Sequence, residues 1–189
     1  ERASVAAFRY APDGRSAYYI SNEGTEFRTL RRHNAAMGAT PESISGDIPW
    51  DVSTYAIADD GRHLAFVTNE DGISKLHVRR LPDHAPVAVP ALPIGVIGGV
   101  EFSPDGQRLA LTLNSATSPS DVHVIDLAGG AAPVAWTASE VGGLDASRFR
   151  AVGLGESMPA VANDSAENRA LNRRVEFMLS TGASGAASN

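Results

Sequence analysis

Two short runs set a serine among small residues, as the nucleophile of a hydrolase would stand: Gly155-Glu156-Ser157-Met158-Pro159 and Gly182-Ala183-Ser184-Gly185. Acyl transfer by serine needs a strained Gly-x-Ser-x-Gly turn, then an Asp and a His to take up its proton. The first run lacks the second glycine and the second has the wrong spacing, so neither serine is a candidate nucleophile. The five histidines are His33, His63, His77, His84 and His123, and no His-Glu-x-x-His pattern joins any of them. With no cysteine in the chain, thiolate metal sites and disulfides are ruled out. No catalytic residue, metal site or cofactor is expected. The residues left for binding are two acidic groups in similar settings, Asn22-Glu23-Gly24 and Asn69-Glu70-Asp71-Gly72, and a basic trio, Arg169, Arg173 and Arg174.

What must position Glu23 and Glu70 is a stretch that occurs three times. It reads Ala11-Pro12-Asp13-Gly14-Arg15, Ala58-Asp59-Asp60-Gly61-Arg62 and Ser103-Pro104-Asp105-Gly106-Gln107, each between apolar runs. Proline presets the second turn position, aspartate bonds nearby backbone, and glycine takes the positive φ that closes a hairpin without strain. The glycines at 14, 61 and 106 are separated by 47 and 45 residues. Repeats of that length built on strands are the mark of propeller blades. Further apolar strands follow each hairpin at matched offsets: Thr29-Leu30-Arg31, Leu76-His77-Val78 and Val122-His123-Val124-Ile125. Each is followed by a turn and a fourth short strand, such as Pro86-Val87-Ala88-Val89 or Pro133-Val134-Ala135-Trp136.

The expected fold is therefore mainly β: an incomplete β-propeller of three visible four-stranded blades, over about 5–44, 52–91 and 96–137, with a short α+β C-terminal segment. His77 and His123 fall at nearly equivalent blade positions, which favours a structural role for both. Asp13, Asp60 and Asp105 are read as turn formers ahead of calcium ligands. An arc of three blades leaves two strand edges and part of an apolar face uncovered, so self-association or marginal stability is expected unless the C-terminal segment covers an edge.

The whole chain is 189 residues with a net charge of −6 and no basic stripe, which argues against nucleic acid as a partner. No apolar run approaches the ~18 residues of a membrane span. Composition shifts near Arg148. The segment 148–180 predicts a strand over about 148–156, a loop, a helix capped by Ser165, and a half-buried strand over Val175-Glu176-Phe177-Met178-Leu179. The tail 181–189 is rich in Gly, Ala and Ser and is expected to be disordered.

Two parts of the chain resemble known families. Residues 4–147, carried by the three turns, by Tyr18-Tyr19-Ile20-Ser21-Asn22-Glu23-Gly24 and by Ser118-Pro119-Ser120-Asp121-Val122-His123-Val124-Ile125-Asp126-Leu127, resemble the propeller of prolyl oligopeptidase family serine peptidases. Pro-Asp-Gly hairpins are also found in TolB-type propellers. The first resemblance implies a domain that caps a hydrolase and screens its substrates, with Glu23 and Glu70 as acidic groups facing a peptide's amino terminus. A solvated hairpin loop is the plainer reading of both. It also implies a peptide substrate, or a hydrolase domain lying elsewhere, as partner.

Residues 148–179, carried by Val152-Gly153-Leu154-Gly155-Glu156, Pro159, Asn163-Asp164 and Asn168-Arg169-Ala170-Leu171-Asn172-Arg173-Arg174-Val175-Glu176, resemble the C-terminal end of OmpA-like peptidoglycan-binding domains. That implies cell-wall contact through Arg169, Arg173 and Arg174 and a place in the periplasm or envelope; without it, a cytoplasmic place is expected. Ion pairing with Glu156 or Glu176 is the alternative role for the arginines. Both resemblances cover only part of a domain, so a fusion of two pieces is expected.

Overall fold

The computed structural model describes residues 3–34, 36, 38–115 and 118–139, and the positions 161, 162, 164, 165, 168, 169 and 172. The chain divides into two compact units, Glu1–Gly153 and Leu154–Asn189.

Among its described residues the first unit has twelve strands in three antiparallel sheets, each built from four strands consecutive in the chain. The first sheet holds β1 (Val5–Tyr10), β2 (Ser16–Ser21), β3 (Thr29–Asn34) and β4 (Glu42–Ser43). The second holds β5 (Val52–Ile57), β6 (His63–Glu70), β7 (Ile73–Arg80) and β8 (Pro86–Val87). The third holds β9 (Val96–Phe102), β10 (Arg108–Asn114), β11 (Asp121–Asp126) and β12 (Val134–Ala135). The expected blades are present with nearly the expected limits.

The turns form for the reasons their residues suggest. The amides of Gly14, Gly61 and Gly106 donate to the carbonyls of Ala11, Ala58 and Ser103, closing each turn. The three glycines take φ of 63°, 69° and 69°, where a Cβ would be strained. Each turn aspartate accepts a bond from the backbone amide two residues on: Arg15 to Asp13, Arg62 to Asp60 and Gln107 to Asp105, at 2.8, 2.9 and 3.1 Å. The carboxylates thus hold the chain reversal, as the turn-former reading has it.

The core lies in the seams between sheets. Strand alternation sends Leu64 and Phe66 of β6 to one face, where they cluster with Tyr18, Ile20 and Leu30 of the first sheet and with Ile44 just after it. It sends Ala65 and Val67 to the other, where they cluster with Leu109, Leu111, Leu113 and Ile125 of the third. The Tyr55 hydroxyl lies 2.8 Å from the Tyr18 carbonyl and also contacts that of Ala7, tying the first two sheets. Ser74 and residues 95–97 tie the second to the third: the Ser74 amide donates to the Gly95 carbonyl and the Ile97 amide to Ser74 Oγ.

Sheet edges are blunted in the same way three times. The fourth strands β4, β8 and β12 are two residues long. The first strands each contain a register shift, between Ala6 and Arg9, between Val52 and Thr54, and opposite Thr112 and Leu113. Short and bulged strands are poor templates for edge pairing.

Candidate functional site

The two acidic groups singled out from the sequence sit in equivalent settings. Glu23 and Glu70 each stand nine residues after a turn glycine, and Tyr19 and Phe66 stand five after it. Across the ladder, Tyr19 faces Arg31 and Phe66 faces His77. Arg31 Nη1 lies 3.7 Å from the Glu23 carboxylate, and its Nη2 donates to the Glu23 carbonyl. His77 Nε2 lies 3.7 Å from Glu70 Oε1. An acid, a base and an aromatic ring therefore recur together in the first two sheets. In the third sheet Leu111 faces His123, so His123 does occupy the position of His77, but Ser115 replaces the acid.

Buried Thr68 fixes the state of His77. Its hydroxyl reaches Glu70 Oε1 at 3.0 Å and His77 Nε2 at 2.9 Å. A carboxylate only accepts, so the one hydroxyl proton goes to Glu70 and His77 donates from Nε2. Burial pushes the His77 imidazole below its ordinary value, against the pull of Glu70. Glu23 and Glu70 are thus acids already engaged by local partners.

A second chain of polar groups crosses the first seam. The Tyr18 hydroxyl lies 2.9 Å from His84 Nε2, and His84 Nδ1 lies 3.9 Å from Glu42 Oε1. The neutral ring accepts from Tyr18 and turns its N–H toward Glu42. An oxygen, imidazole and carboxylate in series have the form of a proton relay. Here Tyr18 is 2% exposed, and burial pushes its phenol up to about 12. The relay ends on an oxygen that stays protonated and that substrate cannot reach, so it ties sheets rather than activating a nucleophile.

Asp121, at the start of β11, gathers four hydrogen bonds on its carboxylate. Ser118 Oγ, Thr137 Oγ1, and the amide and hydroxyl of Ser139 all bond its carboxylate. These donors, Ser118 foremost, hold its pKa down to about 2.

Among the described residues the first unit has two further concave sites to consider. The first strands of all three sheets converge on a polar cavity of about 290 Å³, lined by Arg9, Ala56, Ile57, Asp59, Val100, Glu101 and Phe102. Arg9 and Glu101 each stand five residues before a turn glycine, so one position of the repeat supplies both charges. The sequence alone did not point to this cavity. Its signal was the alternation of charge at one repeat position, but the spacing alone does not say that first strands meet. The other site is an apolar groove of about 380 Å³ on the outer face of the first sheet, lined by Val5, Phe8, Tyr10, Ala17 and Tyr19, with Ser16, Glu23 and His33 at its margins.

Among the described residues no three acidic or histidine side chains are grouped to hold a metal ion, and no helix is long and apolar enough to cross a membrane. In the second unit Ser165 does cap a helical turn: its Oγ accepts from the Asn168 amide at 3.0 Å, and its carbonyl accepts from the Arg169 amide at 3.0 Å. Asn172 bonds both the amide and the carbonyl of Val161. Arg169 lies in that helical turn. Arg173, Arg174, the strands expected at about 148–156 and 175–179, and the tail 181–189 lie outside the described residues.

The three sheets define a class, the incomplete propeller-like β arc. Solved structures of prolyl oligopeptidases contain the same arrangement. A chain from a structural and mechanistic analysis of two prolyl endopeptidases matches with a TM-score of 0.60 and 18% identity, covering 78% of this chain and 21% of that one. Prolyl oligopeptidase B from Galerina marginata, bound to a hydrolysis and macrocyclization substrate, matches with a TM-score of 0.64 and 11% identity, covering 79% and 21%. The apo form of that protein gives 0.62 and 9%, covering 78% and 21%. At such identities the likeness is one of fold, and the chain spans about a fifth of the length of these structures. In sequence, 38 residues are 55% identical to a probable lipoprotein, YiaD, of Escherichia coli (strain K12), 20% of this chain and 17% of that one. No model of a known protein family matches the chain.

Proposed function

We propose that the chain is a non-catalytic propeller portion that screens peptides for a serine peptidase of the prolyl oligopeptidase kind, with the hydrolase chemistry supplied outside these residues. The observation that supports this reading is the likeness of fold over nearly four fifths of the chain to solved prolyl oligopeptidases. The convergence of Arg9, Asp59 and Glu101 adds a site of mixed charge suited to both ends of a peptide. Glu23 and Glu70 are the acidic groups for a substrate's amino terminus, which would have to displace Arg31 and His77 to reach them. The purified chain should leave peptide and ester substrates uncleaved and should not react with a fluorophosphonate. It should bind proline-containing peptides weakly, and Glu101→Gln should reduce that binding. Stoichiometric labelling of any serine would overturn the non-catalytic part.

The lipoprotein match favours a second reading, an envelope protein that joins a propeller, of the TolB type, to an OmpA-like segment contacting peptidoglycan. In that case the chain is a fusion of two pieces. Arg169, Arg173 and Arg174 are then the residues for a cell-wall carboxylate. Purified sacculi should pull the protein down, and Arg173→Ala should release it; no pulldown by sacculi would leave the peptidase reading alone.

A further inference from the structure

We infer that the polar cavity where the three first strands converge binds a free basic α-amino acid, of the charge pattern of L-arginine or L-lysine. The inference rests on the peptide-screening reading, whose site of mixed charge it takes up, and names a small ligand that would compete there with peptides.

One position of the repeat builds the cavity. Five residues before the three turn glycines stand Arg9, Ala56 and Glu101, and all three line it. The second sheet packs between the first and the third. A cation and an anion therefore flank the methyl group of Ala56, which is 8% exposed. The small middle residue leaves the space, and the outer two give it opposite charges.

The second sheet departs from the repeat once more at the same place. Its turn carries Asp59 where the other two carry Pro12 and Pro104. Proline presets the backbone at that position. Asp59 gives up this local advantage, although the same closing bond forms in all three turns. The turn amide of Arg62 is bonded by Asp60, and Arg62 Nε also lies 3.3 Å from Asp60. Asp59 instead lines the cavity. Among the described residues no ion pair includes Arg9, Asp59 or Glu101, whereas Arg31, Arg32, Arg79 and Arg80 each have an acidic partner.

The charge pattern selects the ligand. A guanidinium such as that of Arg9 grips a carboxylate through two parallel hydrogen bonds. Glu101 accepts from an ammonium group. Asp59 then calls for a second cation, since the lining holds two acids against one base. An amino acid with a neutral side chain would leave one acid unmatched, and a diamine would leave Arg9 unmatched. Size points the same way. The cavity of about 290 Å³ lies just under the range of about 300–1,000 Å³ that holds drug-sized ligands, so it suits one amino acid rather than an extended peptide. All three charged side chains are open to solvent, so each pairing is weak and the affinity should be about millimolar.

The test is an NMR titration of the isotope-labelled 189-residue chain, following the amides of Ile57 and Val100. The ligands are L-arginine, citrulline, L-argininamide and Nα-acetyl-L-arginine, the last three lacking in turn the side-chain charge, the carboxylate and the α-ammonium group. L-Arginine should shift those amides, and each of the others should bind about fivefold more weakly. Asp59→Pro restores the residue of the other two turns, so the fold should hold by circular dichroism. It should abolish the preference for L-arginine over citrulline, and Arg9→Gln the preference over L-argininamide. Equal binding of L-arginine and citrulline, a preference unchanged in Asp59→Pro, or shifts that miss Ile57 and Val100 would each overturn the inference. A proline-containing peptide added to the same sample keeps the two readings apart. Peptide binding without L-arginine binding sinks the inference and leaves the screening reading. L-Arginine binding that no peptide reproduces or displaces sinks the screening reading and leaves the ligand.

Discussion

The His77 imidazole lies flat against the Phe66 ring, with 4.7 Å between centroids and 14° between planes. The Arg79 guanidinium sits 5.9 Å from the centre of the same ring. Phe66 is fully buried in the seam between the first and second sheets. It thus contributes packing for two sheets and a π face for two basic side chains. Truncation to alanine should cost about 3–5 kcal/mol. Phe66→Leu keeps most of the volume and should cost about 1–2 kcal/mol. Urea unfolding followed by fluorescence gives both values; no loss in Phe66→Leu would show that the ring's π face contributes nothing.

Stability should fall in two steps on acidification. Burial holds His77 and His84 below their ordinary 6.5, with Glu70 and Glu42 pulling up and Arg79 and Arg32 pushing down. Below pH 6.5 the unfolded chain takes up protons that the folded chain refuses, so stability drops. Asp121, held down to about 2 from 3.8, adds a second loss across that interval. Melting temperature measured from about pH 8 to about pH 2 should show both declines, and His84→Gln should flatten the first. The Asp121→Asn variant should lose the second step only. An unchanged slope between about pH 7 and pH 5 in His84→Gln would remove His84 as a cause.

Two turn glycines should respond differently to alanine. Gly14 has a φ of 63° and open space where a Cβ would stand, so Gly14→Ala should cost about 1–2 kcal/mol from backbone strain alone. At Gly106 the φ is 69° and the Cβ would lie 2.2 Å from Asp60 Oδ2. Gly106→Ala should cost more, and Asp60→Gly should cost less beside Gly106→Ala than it does alone. Denaturant midpoints of the single and double variants decide this; equal losses at both glycines would mean that the turns do not bear on each other.

Asp121→Ala should free the stretch 137–139 from β11, since the carboxylate is bonded by both Thr137 and Ser139. Amide exchange at Ser139 and Val122 should speed up by about 10-fold or more while that of β6 holds, because loss of charged hydrogen bonds acts locally. Exchange that speeds up uniformly would show a global effect instead.

Much of the fold was written in local chemistry. Asp-Gly turns with apolar flanks specify a hairpin wherever they occur, and equal spacing turns three hairpins into three sheets. The equivalence of His77 and His123 was visible for the same reason, although the ladder partners Phe66 and Leu111 were needed to prove it. The seams were not legible. Tyr55 reaches Tyr18 across 37 residues and Tyr18 reaches His84 across 66, and no local pattern encodes such distances. The sequence marked Glu23 and Glu70 as acidic but hid their engagement, because Arg31 and His77 meet them only after β2–β3 and β6–β7 pair. The cavity at Arg9, Asp59 and Glu101 depends on the meeting of three strands spread over some ninety residues.

Strand β6 is buried on both faces from Leu64 through Thr68, the condition of a strand inside a parallel sheet rather than on an antiparallel surface. Its consequence concerns the order of assembly. Each sheet is a run of neighbours in the chain and can close by itself quickly. The second alone would expose apolar residues of β6 on both faces, so it remains sticky until both flanking sheets arrive. A ribosome would release the first sheet before the second and the third last. During that interval the Ala65 and Val67 face is open, and a chaperone that clasps apolar strands would find its target there.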